Sequence, residues 1–134
     1  MKIVLETIPV WDGLNSDSEC FLCSLMQEAE HDALSYYLSS AVMTPEVRVE
    51  TNTYGFCPEH MRQLAQANKP QVLALVMDTY YDENKKTYKP DLEKIINASK
   101  PRQALKAIES FREDVASREK GCLVCSRMDD RLYR

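Results

Sequence analysis

All five cysteines of this sequence lie in short spaced motifs. Cys20-Phe21-Leu22-Cys23 and Cys122-Leu123-Val124-Cys125 are C-x-x-C pairs, and Cys57-Pro58-Glu59-His60 is a C-x-x-H pair. A three-residue step at the start of a helix brings two side chains to one point. The free N–H groups of the helix end favour the thiolate there. Thiolates and an imidazole are zinc ligands, at about 2.3 Å for sulfur and about 2.0 Å for nitrogen. Cys23 and Cys57 are separated by 33 residues. The expected site is therefore Cys₃His, formed by Cys20, Cys23, Cys57 and His60. With four protein ligands there is no open position, so the expected Zn²⁺ is structural. Cys122 and Cys125 are left as a second half-site.

A competing set joins Cys20, Cys23, Cys122 and Cys125 as Cys₄ and sets Cys57 and His60 aside. The Cys₃His set is preferred because an internal repeat suggests that each C-x-x-C has its own downstream C-x-x-H. On that assignment Cys57→Ser and His60→Ala destabilise more than Cys122→Ser. The repeat relates Cys20-Phe21-Leu22-Cys23-Ser24-Leu25-Met26 to Cys122-Leu123-Val124-Cys125-Ser126-Arg127-Met128, shifted by 102 residues. The sequence stops at Arg134 inside an expected helix, which reads as the N-terminal part of a duplicated, longer protein.

Other chemistry is less well supported. A redox dithiol usually follows a strand in an α/β sheet, and no strand run is evident. An iron–sulfur cluster is disfavoured by the histidine in the fourth place. Glu28 and His31 have E-x-x-H spacing, but a di-iron bundle needs a second such motif, so His31 reads as a surface residue. Gly-rich phosphate loops, nucleophile elbows and H-E-x-x-H are absent from the sequence. An odd cysteine count in spaced motifs argues against a secreted disulfide framework and for a reducing, cytoplasmic setting.

Helices must position these residues. Three glycines are few for a strand-rich fold. A first helix is expected from Ser18 to Val42, capped from Asn15-Ser16-Asp17-Ser18. Its stripe is Leu22, Leu25, Met26, Ala29, Ala33, Tyr37, Leu38 and Ala41. A short helix follows Thr44-Pro45 and ends near Thr51, and Tyr54-Gly55-Phe56 forms a turn. Further helices are expected from Cys57 to Ala67, Gln71 to Asn84, Asp91 to Ser99, and Pro101 to Lys120, with a last one opening at Cys122. The domain reading is an irregular arm over 1–17 packed through Ile3, Leu5, Ile8, Val10 and Trp11. A zinc-stabilised helical domain covers 18–121, and a second, truncated repeat starts over 122–134. The fold class is all-α with zinc-knuckle-like C-x-x-C/C-x-x-H junctions.

Net charge is −4, and lysines and arginines are interleaved with acids, as at Lys85, Lys86 and Lys89 among Asp82, Glu83 and Asp91. Nucleic acid and anionic membrane are disfavoured as partners. No run approaches the roughly 18 apolar residues of a membrane helix. Glu6 interrupts the apolar start Ile3-Val4-Leu5, so a signal peptide is not expected.

The motifs, with Gly55-Phe56 before Cys57 and with Met43-Thr44-Pro45-Glu46-Val47-Arg48, resemble an uncharacterised bacterial family, mostly of Firmicutes. It is a domain of unknown function with tandem C-x-x-C…G-F-C-x-x-H units on a helical chain. The resemblance implies that Cys20, Cys23, Cys57 and His60 form the first unit's metal site, and that Cys122 and Cys125 begin the second. It implies no activity. The expected function is a non-enzymatic zinc-binding scaffold or interaction module with a protein partner. Two rivals are a thiol redox sensor that releases zinc and an enzyme whose groove is completed by C-terminal residues.

Overall fold

The computed structural model describes residues 7–118 and 121–132. Ile3, Leu5, Lys120 and Arg134 lie outside the described residues. Among those described there are seven α-helices and no strand, so the fold is all-α, as the apolar periodicity predicts.

The expected irregular arm contains a short helix, α1 (Ile8–Leu14), with Pro9 in its first turn. Gly13 is its buried residue, and a Cβ there would meet Leu25 Cγ at 3.2 Å. Close packing of α1 on the next helix thus depends on that missing side chain. The helix α2 (Phe21–Tyr37) is capped by Cys20, whose Sγ accepts from the Cys23 N–H at 3.2 Å. A cysteine therefore does the capping expected of the Asn15-Ser16-Asp17-Ser18 cluster before it. Only the second half of the expected stripe is covered: Ala29, Ala33, Tyr37 and Leu38 are buried, whereas Leu22 and Met26 are exposed.

A 3₁₀ turn (Ser40–Met43) ends the first long segment, and Thr44 then precedes α3 (Pro45–Tyr54). The chain turns at Gly55 into α4 (Pro58–Gln66). Asn68, with φ 55°, separates α4 from α5 (Pro70–Ile96). Helix α5 runs straight through Pro90, where the sequence suggested a break between two helices. Pro90 is exposed, so water can satisfy the carbonyl that loses its N–H partner. Ion pairs Lys86–Glu83, Lys94–Asp91 and Lys89–Glu93 flank it. Helix α6 (Pro101–Arg118) packs back along α5, with Tyr88 and Phe111 edge to face at 5.4 Å.

The last helix, α7 (Leu123–Leu132), lies on α2. The core joins α2, α3, α4, α5 and α7 through Ala33, Tyr37, Val42, Val47, Leu64, Val76 and Val124. Arg131 bonds Asp32 and pairs with Glu28 at 3.7 Å, and the Arg127 guanidinium sits 3.6 Å from the centre of the Tyr36 ring. Residues read from sequence as the start of a further repeat are thus built into the same core as α2.

Candidate metal centre

Two helix starts face each other. Cys57 is the N-cap of α4, and His60 follows on the same face one turn later. Cys122 immediately precedes α7, and Cys125 follows it by the same step. Between the two cysteines, Leu123 and Val124 are buried, and this anchors the start of α7 in the core. The Leu123 N–H donates to the Gly55 carbonyl at 3.2 Å, which ties α7 to the turn before α4.

That turn depends on glycine. Gly55 has φ 63° and ψ −150°, a backbone region that side chains exclude. A Cβ would also stand 2.8 Å from Tyr80 Cε2. The chain therefore turns at Gly55, one residue later than the expected Tyr54-Gly55-Phe56 turn begins, because Tyr54 still belongs to α3.

Cys57, His60, Cys122 and Cys125 bring four ligand atoms within 4.8 Å of one another. His60 Nδ1 stands 3.2 Å from Cys57 Sγ, 3.3 Å from Cys122 Sγ and 3.4 Å from Cys125 Sγ. A ring nitrogen holds either one proton or one lone pair, so it cannot satisfy three sulfurs by hydrogen bonding. A cation at their centre can satisfy all four atoms. Tetrahedral bonds of about 2.0 and 2.3 Å put sulfur and nitrogen roughly 3.5 Å apart, close to the separations found. The group could hold a metal ion in a zinc-knuckle-like arrangement.

The far side of the ring is also fixed. His60 Nε2 lies 3.1 Å from Glu30 Oε1, and Gln63 Nε2 donates to the same oxygen at 3.0 Å. His60 is only 6% exposed. The carboxylate selects the tautomer with hydrogen on Nε2 and leaves Nδ1 free to ligate.

Thiol acidities are split across the α7 pair. Burial opposes ionisation of Cys122, but backbone N–H donors at Cys125 and Cys57 and the side chains of His60 and Cys125 outweigh it, lowering its pKa to about 7. Burial, the hydrogen bond to Cys122 and the charges of Cys122 and Cys57 raise Cys125 to about 12. Without a cation Cys125 stays protonated at neutral pH, so the pair does not carry two negative charges. A divalent ion would allow both thiols to ionise.

This grouping differs from both sets considered from sequence. Cys57 and His60 converge with Cys122 and Cys125, while Cys20 and Cys23 pair with each other as a disulfide at the exposed start of α2. Helix geometry keeps the pairs apart. Glu30, which touches His60, lies ten residues beyond Cys20 on α2, and ten residues of helix span roughly 15 Å. A ligand bond of about 2.3 Å cannot bridge that distance. No local sequence signal marks Glu30, since the E-x-x-H spacing joins its neighbours Glu28 and His31. His31 is exposed, as its polar neighbours suggested.

A model of a family of unknown function, DUF6062, matches residues 1–134. The chain belongs to the DUF6062 family. No curated protein and no solved structure matches it. Membership therefore agrees with the resemblance to an uncharacterised family and brings no activity with it. An open cleft of about 750 Å³ adjoins the cluster, lined in part by Tyr37, Glu50, Tyr54 and Arg127. No helix among the described residues is long and apolar enough to cross a membrane.

Proposed function

We propose that this DUF6062 chain is a non-enzymatic helical scaffold or interaction module whose fold is locked by one structural zinc ion. The carrying observation is the convergence of three sulfurs on Nδ1 of a buried histidine whose Nε2 is held by Glu30. Three thiolates and an imidazole select a borderline-soft ion that tolerates tetrahedral coordination, which is zinc. Four protein ligands leave no position for substrate or activated water, which supports a structural role. The ion would join α4 to α7, and through Glu30 to α2. It thus replaces the Cys20, Cys23, Cys57, His60 set with one built across the two cysteine-bearing halves of the sequence.

On the same reading the chain is bacterial and cytoplasmic, carries one C-x-x-C…G-F-C-x-x-H unit and the C-x-x-C that opens a second, a tandem pattern shared with Firmicutes relatives, and works through a protein partner rather than nucleic acid or membrane. Net charge of −4 supports the last point.

Native mass spectrometry of protein purified under reducing conditions tests the metal. One zinc per chain bound at the cluster is expected. Protein that emerges metal-free and takes up no added zinc, with Cys57, Cys122 and Cys125 reduced, overturns the reading.

A further inference from the structure

The pair at the start of α2 repeats the pair at the start of α7. Each is C-x-x-C followed by serine, and then, two residues later, by methionine. Each straddles the first turn of a helix, where free N–H groups stabilise thiolate. The surroundings differ. Leu123 and Val124 are buried and turn the α7 thiols towards Cys57 and His60. Leu22 is 59% exposed, and Cys20 and Cys23 are exposed with it. Their two sulfurs lie together at the surface, with the Cys23 N–H on Cys20 Sγ.

The sequence has one C-x-x-H, and Cys122 and Cys125 occupy it. The first C-x-x-C thus does not meet the C-x-x-H that follows it. The Cys57, His60, Cys122 and Cys125 cluster is the one group of three or more such donors among the described residues. Two converging thiols at α2 therefore have two coordination positions to fill from elsewhere.

We propose that Cys20 and Cys23, when reduced, are a second metal half-site, which binds a zinc-class divalent ion and is closed by the same pair of a second copy of the chain. This rests on the metal reading of the cluster, because the α7 pair is its template. A two-fold axis through the ion gives each copy the same role and completes a Cys₄ shell. Leu22 and Met26, exposed apolar residues in the first two turns of α2, would be covered by the partner. Chemically, a phosphine reductant and water convert the disulfide to two thiols and leave phosphine oxide. The metal then displaces one proton from each thiol.

The test uses the full chain, phosphine-reduced and titrated with Co²⁺ and then Zn²⁺. Thiolate-to-cobalt absorption follows binding, and sedimentation gives the oligomeric state. The expected result is one equivalent bound by the monomer, then a further half equivalent per chain with dimerisation. Cys20→Ser/Cys23→Ser should stop at one equivalent and remain monomeric. Cys122→Ser/Cys125→Ser, checked for helicity, should keep the dimer-linked half equivalent. Wild-type protein that stops at one equivalent overturns the half-site while leaving the first site standing. A second full equivalent without dimerisation overturns closure by a second copy. Wild-type protein that binds none fails both readings.

Discussion

Glu30 Oε1 lies 3.1 Å from His60 Nε2, and the two residues come from different helices thirty positions apart. This contact fixes which nitrogen of His60 is free for a metal. Glu30→Gln should keep the helices and the four ligands but weaken zinc binding by roughly 10–100-fold, the usual cost of losing a carboxylate behind a ligating histidine. Competition with a chromophoric chelator measures this. Unchanged affinity would show that Glu30 is a bystander.

Each of the four cluster residues should matter to the fold. Cys122→Ser should be as damaging as Cys57→Ser or His60→Ala, because the Cys122 sulfur is one of the three around Nδ1. The sequence assignment put Cys122 among the mild positions, so its rank discriminates. Losing one ligand of a closed structural site should cost on the order of 3 kcal/mol or more, since zinc binding energy is folding energy. Cys20→Ser, at the exposed end of α2, should cost within about 1 kcal/mol. Denaturant melts with zinc content measured on each variant decide the order.

Gly55→Ala should lower stability and zinc affinity together. Its backbone conformation costs on the order of 1–3 kcal/mol for any other residue, and the added Cβ would strike the Tyr80 ring. The displaced turn would pull its carbonyl from the Leu123 N–H and shift both halves of the site. A stable Gly55→Ala protein with full zinc content would contradict this.

In metal-free, reduced protein the two α7 thiols should give opposite pH dependences about the ordinary thiol value of 9.0. Cys122, lowered to about 7, contributes stability that is present above 9 and is lost as pH falls through 7. Cys125, raised to about 12, contributes stability that is present below 9 and is lost as pH rises towards 12. Stability should therefore climb from pH 7 to 9 and decline above it, and Cys122→Ser should abolish the climb. Urea melts in chelator at each pH measure both limbs. Zinc should remove the alkaline decline, because both thiolates would then be metal-bound.

The sequence by itself determined the helices and the small set of residues able to hold a metal. Apolar spacing at three and four residues, Thr44-Pro45, Gly55 and Pro101 mark element starts and turns through local chemistry. Helix and cap preferences act over a few residues, so one chain segment suffices to read them. The cysteine motifs are legible for the same reason, since an i, i+3 pair at a helix start converges whatever surrounds it. Pro90 is the local exception: paired charges and the packing of α6 on α5 let the helix continue where propensity alone ends it.

The partnership of the motifs was decided only by tertiary structure. Spacing along the chain makes Cys20 and Cys23 the nearer partners of Cys57 and His60. Distance in space follows instead from which helix ends meet. Burial of Leu123 and Val124 holds α7 against α2 with its first turn at the first turn of α4, while the start of α2 projects roughly 15 Å beyond Glu30. Glu30 gained its role in the same way. Nothing in its local sequence points to His60, and the contact exists because α4 crosses α2 at that turn. Which helix ends meet depends on summed apolar contacts between distant segments, and no window of neighbouring residues contains that sum.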